Sequence, residues 1–246
     1  MWSLAERDIR VRYKQTVMGI GWAFFMPVTL MVLFGAVFSR VAHVDTGDVP
    51  YPVFAYVGLL PWSFFANSVK FASNSLVGNV NLITKVYFPR EVLPLAAVGA
   101  CLFDTGIAAL ALAGLMAWHH VPLHAAALLV PVVFLVQLVL TAAVALFVAM
   151  ASLFYRDVKY VLDVALTVLL FGTSVVYPIA GVGGRLGRVL AWNPLSVLID
   201  AYRTLLLRGE LPAPGPLAAT AAFSLVLLGA TWRLFHEAEY RFAERI

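Results

Sequence analysis

The stretch TGIAALALAGLMAWHHVPLHAAALLVPVVFLVQLVLTAAVALFVAMASLFY, residues 105–155, runs for 51 residues without one Asp, Glu, Lys or Arg. A helix needs ~20 mostly apolar residues to cross ~30 Å of hydrocarbon. Joined to the apolar residues before Asp104, this run is long enough for two crossings. They divide at His119-His120-Val121-Pro122-Leu123-His124, a polar turn broken by proline. Water cannot cover so long an uncharged surface, but a bilayer can, provided the backbone satisfies its own hydrogen bonds. The stretch therefore decides the class: an all-α integral membrane protein.

Working outward, four more segments lack charge: 15–39, 49–69, 164–184 and 211–232. Together these give six spans, about 20–40, 50–69, 92–117, 125–153, 161–180 and 214–234, in one membrane domain over 1–246. The fourth is long and is expected to tilt or to extend past the bilayer. The whole chain agrees, with 62% apolar and only 12% charged residues, the latter about half the share of a soluble domain. Its mean hydropathy is +0.91.

The net charge of +4 does not point to nucleic acid, because the basic residues fall in short clusters between apolar runs. Such clusters set topology. With both termini in the cytoplasm, 12 of the 17 Lys and Arg residues lie on the inside and 5 on the outside, the bias that favours this orientation. The first fifteen residues carry both signs of charge and no apolar core with a cleavage site, so a secretory signal peptide is not expected. Cys101 is the single cysteine, which excludes an intramolecular disulfide and a cysteine-rich metal site.

Two segments between spans are unusual. The stretch 180–216 begins with Gly181, Gly183, Gly184 and Gly187, then turns apolar but for Asn193-Pro194, Asp200 and Arg203. It is too polar for a span and too apolar for a solvated loop. Short re-entrant helices on the outer side fit it, packed on the bundle or lining a pathway, since irregular backbone at that depth must be covered. The inner segment 79–91 groups Val86, Tyr87 and Phe88 with Lys85, Arg90 and Glu91. Clustered apolar residues with a polar rim read as a docking surface; the bland alternative is a segment packed on its own bundle. At the N-terminus, Arg7 precedes an alternation of apolar and basic residues from Ile9 to Lys14 that holds Arg10, Arg12, Tyr13 and Lys14. Beside a span, an interfacial helix and a plain positive-inside anchor are both open.

Several motifs carry a resemblance. Arg12-Tyr13-Lys14-Gln15-Thr16 with Gly19, Trp22 and Pro27 is similar to the opening signature of ABC-2-type export permeases for polysaccharides. So are Gly58-Leu59-Leu60-Pro61-Trp62-Ser63-Phe64-Phe65, Leu82 through Glu91, Tyr155-Arg156-Asp157-Val158 and Trp192-Asn193-Pro194-Leu195. They run in order over nearly the whole chain, and their subfamily exports O-antigen, teichoic acid and capsular polymers. The resemblance implies a homodimer with two copies of a cytoplasmic ABC ATPase, which binds ATP and Mg while this chain carries no cofactor. It implies a bacterial inner-membrane location and a lipid-linked polysaccharide substrate. It also implies that Lys85, Val86, Tyr87, Phe88, Arg90 and Glu91 form a cytoplasmic coupling helix entering the ATPase. Arg7 to Lys14 would be the amphipathic interface helix, and the outer gate would hold Trp192, Asn193, Asp200 and Arg203. Eleven residues precede Arg12, fewer than members of that family usually carry, which implies a shortened interface helix or a different start site.

Chemistry-bearing patterns are few. No Gly-x-x-x-x-Gly-Lys-Ser/Thr loop and no His-Glu-x-x-His occurs, so neither a nucleotide cradle nor a zinc protease motif is present. His120 and His124 have the spacing of a metal pair, but Pro122 stands between them in a turn, and no metal site is expected. Asp104 lies thirteen residues after Glu91, ~20 Å along a helix, deep in the membrane where a carboxylate needs a partner or water. Its readings are a pathway contact or a structural hydrogen bond, with the second preferred. Tyr51, Phe54, Gly58, Trp62 and Phe65 share one helical stripe; Phe54 and Trp62 are the pathway candidates, against an aromatic belt at the bilayer interfaces. Rival readings are an ABC-2 exporter of a small molecule or lipid, and a membrane-embedded glycan-processing enzyme. The enzyme would need paired carboxylates, and the nearest pair is Asp157 and Asp163.

Overall fold

The structure, a computed structural model, describes residues 49–85, 88–175, 177–178 and 192–245, with isolated positions among 21–33 and 184–190. The expected interface helix and, apart from isolated positions, the first span lie outside the described residues. Every regular element among the described residues is helical.

Helix α1, Tyr51–Ser75, starts where Pro50 and Pro52 fix the backbone for a first helical turn. Seventeen of its 25 residues are buried, which makes it the central helix of the bundle. A 3-10 turn, Val77–Asn79, leads into the short α2, Val80–Lys85. Helix α3, Val92–Trp118, packs along α1. It stops at His120, which adopts φ 54°, while Val121 N–H reaches back to the Met116 carbonyl at 2.9 Å. A left-handed residue closed by such a backward bond is a standard helix stop.

A 3-10 turn, Ala125–Leu129, opens the next helix, α4, Val130–Phe154. Helix α5 is Val158–Phe171 and α6 is Pro194–Arg203, extended by a π-turn over Thr204–Arg208. Helix α7, Pro214–Arg245, packs mainly on α4. Among the described residues, three helical segments are long and apolar enough to cross a membrane: Val92–Trp118, Ala125–Phe154 and Pro214–Glu239.

The expected fifth span, 161–180, differs in the structure. Regular helix ends at Phe171, and 14 residues reach only ~21 Å. Gly172 follows, then a turn in which Thr173, Ser174 and Val175 are wholly buried. The apolar run continues in the sequence, but the helical hydrogen-bond ladder does not.

Contacts sort the loops to two ends of the bundle. Lys70 near the end of α1 pairs with Asp163 of α5 at 2.7 Å, and Arg90 ahead of α3 bonds to Glu239 of α7. At the opposite end the turn after α3 meets the turn after α6. There Gly209 takes φ 70°, and a β-carbon on it would run into the His124 ring. Only glycine satisfies both the left-handed backbone and that close approach.

Candidate functional site

The end of the bundle that carries α6 is built around the break after α5. Leaving the helix frees carbonyl groups in a turn that is wholly buried, where water cannot serve them. Two residues of the α6 segment supply the missing donors. Asn193 caps α6, its Oδ1 accepting from Leu195 N–H at 3.0 Å, while its Nδ2 donates to the Gly172 carbonyl at 3.0 Å and to Thr173 Oγ1 at 3.2 Å. Arg203, only 3% exposed, donates from Nη1 to the Ser174 carbonyl and from Nη2 to the Val175 carbonyl, both at 2.6 Å. Its guanidinium carbon lies 3.7 Å from the Phe54 ring centre, close enough for a cation–π contact.

Gly58 makes room for this arrangement. A β-carbon there would collide with the Val175 carbonyl oxygen and stand 2.7 Å from Arg203 Nη2. Of the other expected outer-side residues, Trp192 is 86% exposed and Asp200 faces outward from α6. Tyr177 also reaches back, its hydroxyl donating to the Phe171 carbonyl at 2.6 Å.

A second buried link joins three helices, and the sequence reading did not single it out. The Tyr202 hydroxyl donates to Gln137 Oε1 at 2.7 Å, and Gln137 Nε2 donates to the Pro61 carbonyl at 2.7 Å. Pro61 interrupts α1 by removing one backbone donor. Gln137, 1% exposed, thus ties the proline turn of α1 to α6 through α4. One signal for it exists: Gln137 is the only carboxamide between residues 105 and 155, and polar groups inside spans mark helix contacts. Gln137→Leu is expected to destabilise the protein by about 2–3 kcal/mol, since it orphans the Tyr202 hydroxyl and a backbone carbonyl contact. Thermal unfolding in detergent, with Tyr202→Phe and the double variant, measures it; the double variant recovers part of the loss.

At the other end, the segment expected to couple leads from α2 into α3. Lys85 is exposed, Val86 and Tyr87 lie outside the described residues, and Phe88 is half-buried. Phe88 and Leu82 pack against Leu76, Leu93, Leu146 and Phe235. Arg90 Nη1 donates to the Glu239 carbonyl at 2.6 Å, and its Nε lies 3.8 Å from Glu239 Oε1. Glu91 Oε1 lies 3.9 Å from His236 Nε2, an ion pair when the imidazole is protonated. Two successive residues thus grip α7 one turn apart. Glu91, His236 and Glu239 bring their ligand-type atoms within 4.8 Å, the only such grouping among the described residues.

The pathway candidates fall in different surroundings. Phe54 and Trp62 are both 6% exposed, with Phe54 against Arg203 and Trp62 in the main core. Tyr51 and Phe65 are buried beside them, ring centres 6.2 Å and 6.1 Å away respectively. The whole stripe is covered by this chain's own side chains. Asp104 is half-buried on α3, while its neighbour Thr105 bonds to the Cys101 carbonyl within the helix. Asp163 pairs with Lys70. His124 lies under Gly209.

Comparison with known proteins covers nearly all of this architecture. The family described as ABC-2 type transporter matches residues 1–207. An O-antigen export system permease protein, RfbA, of Myxococcus xanthus is 32% identical over 99% of this chain and 94% of that protein. The protein of the same name from Klebsiella pneumoniae is 26% identical over 98% and 92%. A polysialic acid transport protein, KpsM, of Escherichia coli is 25% identical over 92% and 88%.

Proposed function

The chain belongs to the ABC-2 type transporter family, and from that premise we propose that it is the membrane-spanning permease subunit of an ATP-driven exporter of lipid-linked polysaccharide. The observation that carries this reading is similarity along almost the full length of both chains to permeases named for O-antigen export. A relative named for polysialic acid transport points to the same class of cargo. The chain itself makes and breaks no covalent bond; hydrolysis belongs to a separate ABC ATPase, which holds ATP and Mg. Two copies of the permease form the channel, each bound to one ATPase, in the bacterial inner membrane.

The contacts support a route for force. ATP-driven closure of the partner pushes the segment 80–91. Arg90 and Glu91 pass that push to α7, whose other end packs near α6. Arg203 and Gln137 tie α6 to the broken fifth span and to α1. A push at the inner end therefore shifts the outer-side helix, which opens the exit for the glycan.

Orientation has its own test. Both termini are read as cytoplasmic, which puts Leu123 outside and Tyr155 inside; both side chains are well exposed. The natural Cys101 is buried and stays silent. A membrane-impermeant maleimide is expected to label Leu123→Cys in intact cells, and Tyr155→Cys only after permeabilisation. The reverse pattern rejects the orientation.

The functional reading is tested by co-expressing the chain with a candidate partner ABC ATPase and deleting each in turn. Expected are a stable two-component complex and polymer that is made but stays inside when either is missing. Polymer that still crosses with no ATPase bound would overturn it.

A further inference from the structure

A cavity of about 570 Å³ opens where the ends of α1 and α4 meet the start of α5. Among the described residues, its wall carries Lys70, Arg156 and Lys159 against one acid, Asp163, a formal excess of two positive charges. Asp163 is already taken by Lys70 at 2.7 Å. Arg156 is exposed and has no ion-pair or hydrogen-bond partner among the described residues. Lys159 has its ammonium 4.7 Å from the Tyr160 ring centre.

Ser73 and Asn74 add polar groups to the wall. Val77, Leu153 and Leu162 make the remaining wall apolar. Free inorganic phosphate has no use for such a wall; a phosphate attached to a lipid does.

We infer that this cavity binds the phosphate headgroup of a membrane lipid, through Arg156 and Lys159. Basic pockets between helices at the cytoplasmic side recognise lipid headgroups in this manner. The inference rests on the proposed orientation and cargo for its two sources. One is the phosphate linkage of the lipid-linked glycan; the other is an anionic lipid of the bilayer. A lipid is favoured over an acidic protein segment because its chains can lie along the apolar wall beside the cations.

The test measures lipid binding to the full chain in a neutral detergent, by native mass spectrometry. The probes are a polyprenyl diphosphate, phosphatidylglycerol and phosphatidylcholine. Arg156→Gln with Lys159→Gln is expected to weaken diphosphate binding about 30-fold, because charge-assisted bonds to phosphate are strong. Asp163→Asn is expected to strengthen it about threefold, by removing the opposing charge of Asp163; a gain cannot arise from misfolding. Arg208→Gln, at the other end of the bundle, leaves it unchanged. Preference for the diphosphate over phosphatidylglycerol assigns the glycan carrier; equal binding assigns the bilayer lipid. The proposal is overturned if the double variant binds as wild type, if Arg208→Gln matches its loss, or if phosphatidylcholine binds equally well. It is also overturned if the double variant keeps both lipids but loses the ATPase, which would make the cavity a protein-docking surface. Binding is read without transport. A chain that binds the diphosphate but recruits no ATPase would sink the export reading and leave this site standing.

Discussion

Arg203→Leu is expected to destabilise the protein by about 3–5 kcal/mol and to abolish export, the largest effect of any single change at that end of the bundle. The side chain is almost fully buried and donates to the carbonyls of Ser174 and Val175. These carbonyls exist as free acceptors only because the fifth helix stops at Phe171. Each one left unserved costs about 1–3 kcal/mol, and leucine serves neither. Leucine also gives up the contact of the guanidinium with Phe54. Arg203→Lys separates charge from geometry. A lysine retains the positive charge but cannot hold two carbonyls in a planar fork, so it should recover less than half of the stability. Unfolding temperature in detergent and polymer at the cell surface are the readouts. A Lys variant as stable as wild type would show that charge alone matters. A Leu variant that exports normally would show that Arg203 has no part in export.

What the sequence disclosed and what it hid follow from the range of the interactions. Residues 105–155 declare two membrane helices because crossing lipid is a local demand on composition. The boundaries of α3 and of the helix begun by Ala125 lie close to those expected. The turn at 119–124 shows itself through Pro122 and three histidines. The segment 161–180 misleads because apolar composition persists past Phe171 while the backbone turns away at Gly172. Nothing local reports that Asn193 and Arg203, twenty to thirty residues later, serve the freed carbonyls. The aromatic stripe of α1 is legible as a face, but which neighbour covers it is not. Likewise Arg90 and Glu91 stand out by motif, whereas their partners Glu239 and His236 lie almost 150 residues away. Gln137 carries a visible signal, as a lone amide in an apolar run, but its two partners come from different helices.

That distant pairing carries the second large effect. Arg90→Glu is expected to reduce export at least tenfold while the complex with the ATPase still assembles. The change puts a carboxylate beside Glu239, and repulsion replaces an attraction at 3.8 Å. Partly exposed ion pairs are worth little, about 0–1 kcal/mol, so the ion pair alone would not predict a strong phenotype. The backbone bond from Arg90 Nη1 to the Glu239 carbonyl is the stronger tie, since charge-assisted bonds are roughly twice as strong as neutral ones. Glutamate cannot donate that bond at all. The charge-swapped pair Arg90→Glu with Glu239→Arg therefore restores the attraction but not the backbone bond, and recovers export only in part. Full recovery would mean that the side-chain pair does all the coupling; no recovery would mean that the backbone bond does. ATP hydrolysis by the assembled complex is the deciding companion measurement. If hydrolysis continues while polymer stays inside, the grip on α7 transmits the stroke. If hydrolysis and assembly are both lost, Arg90 serves docking to the ATPase instead, and the force route through α7 is wrong.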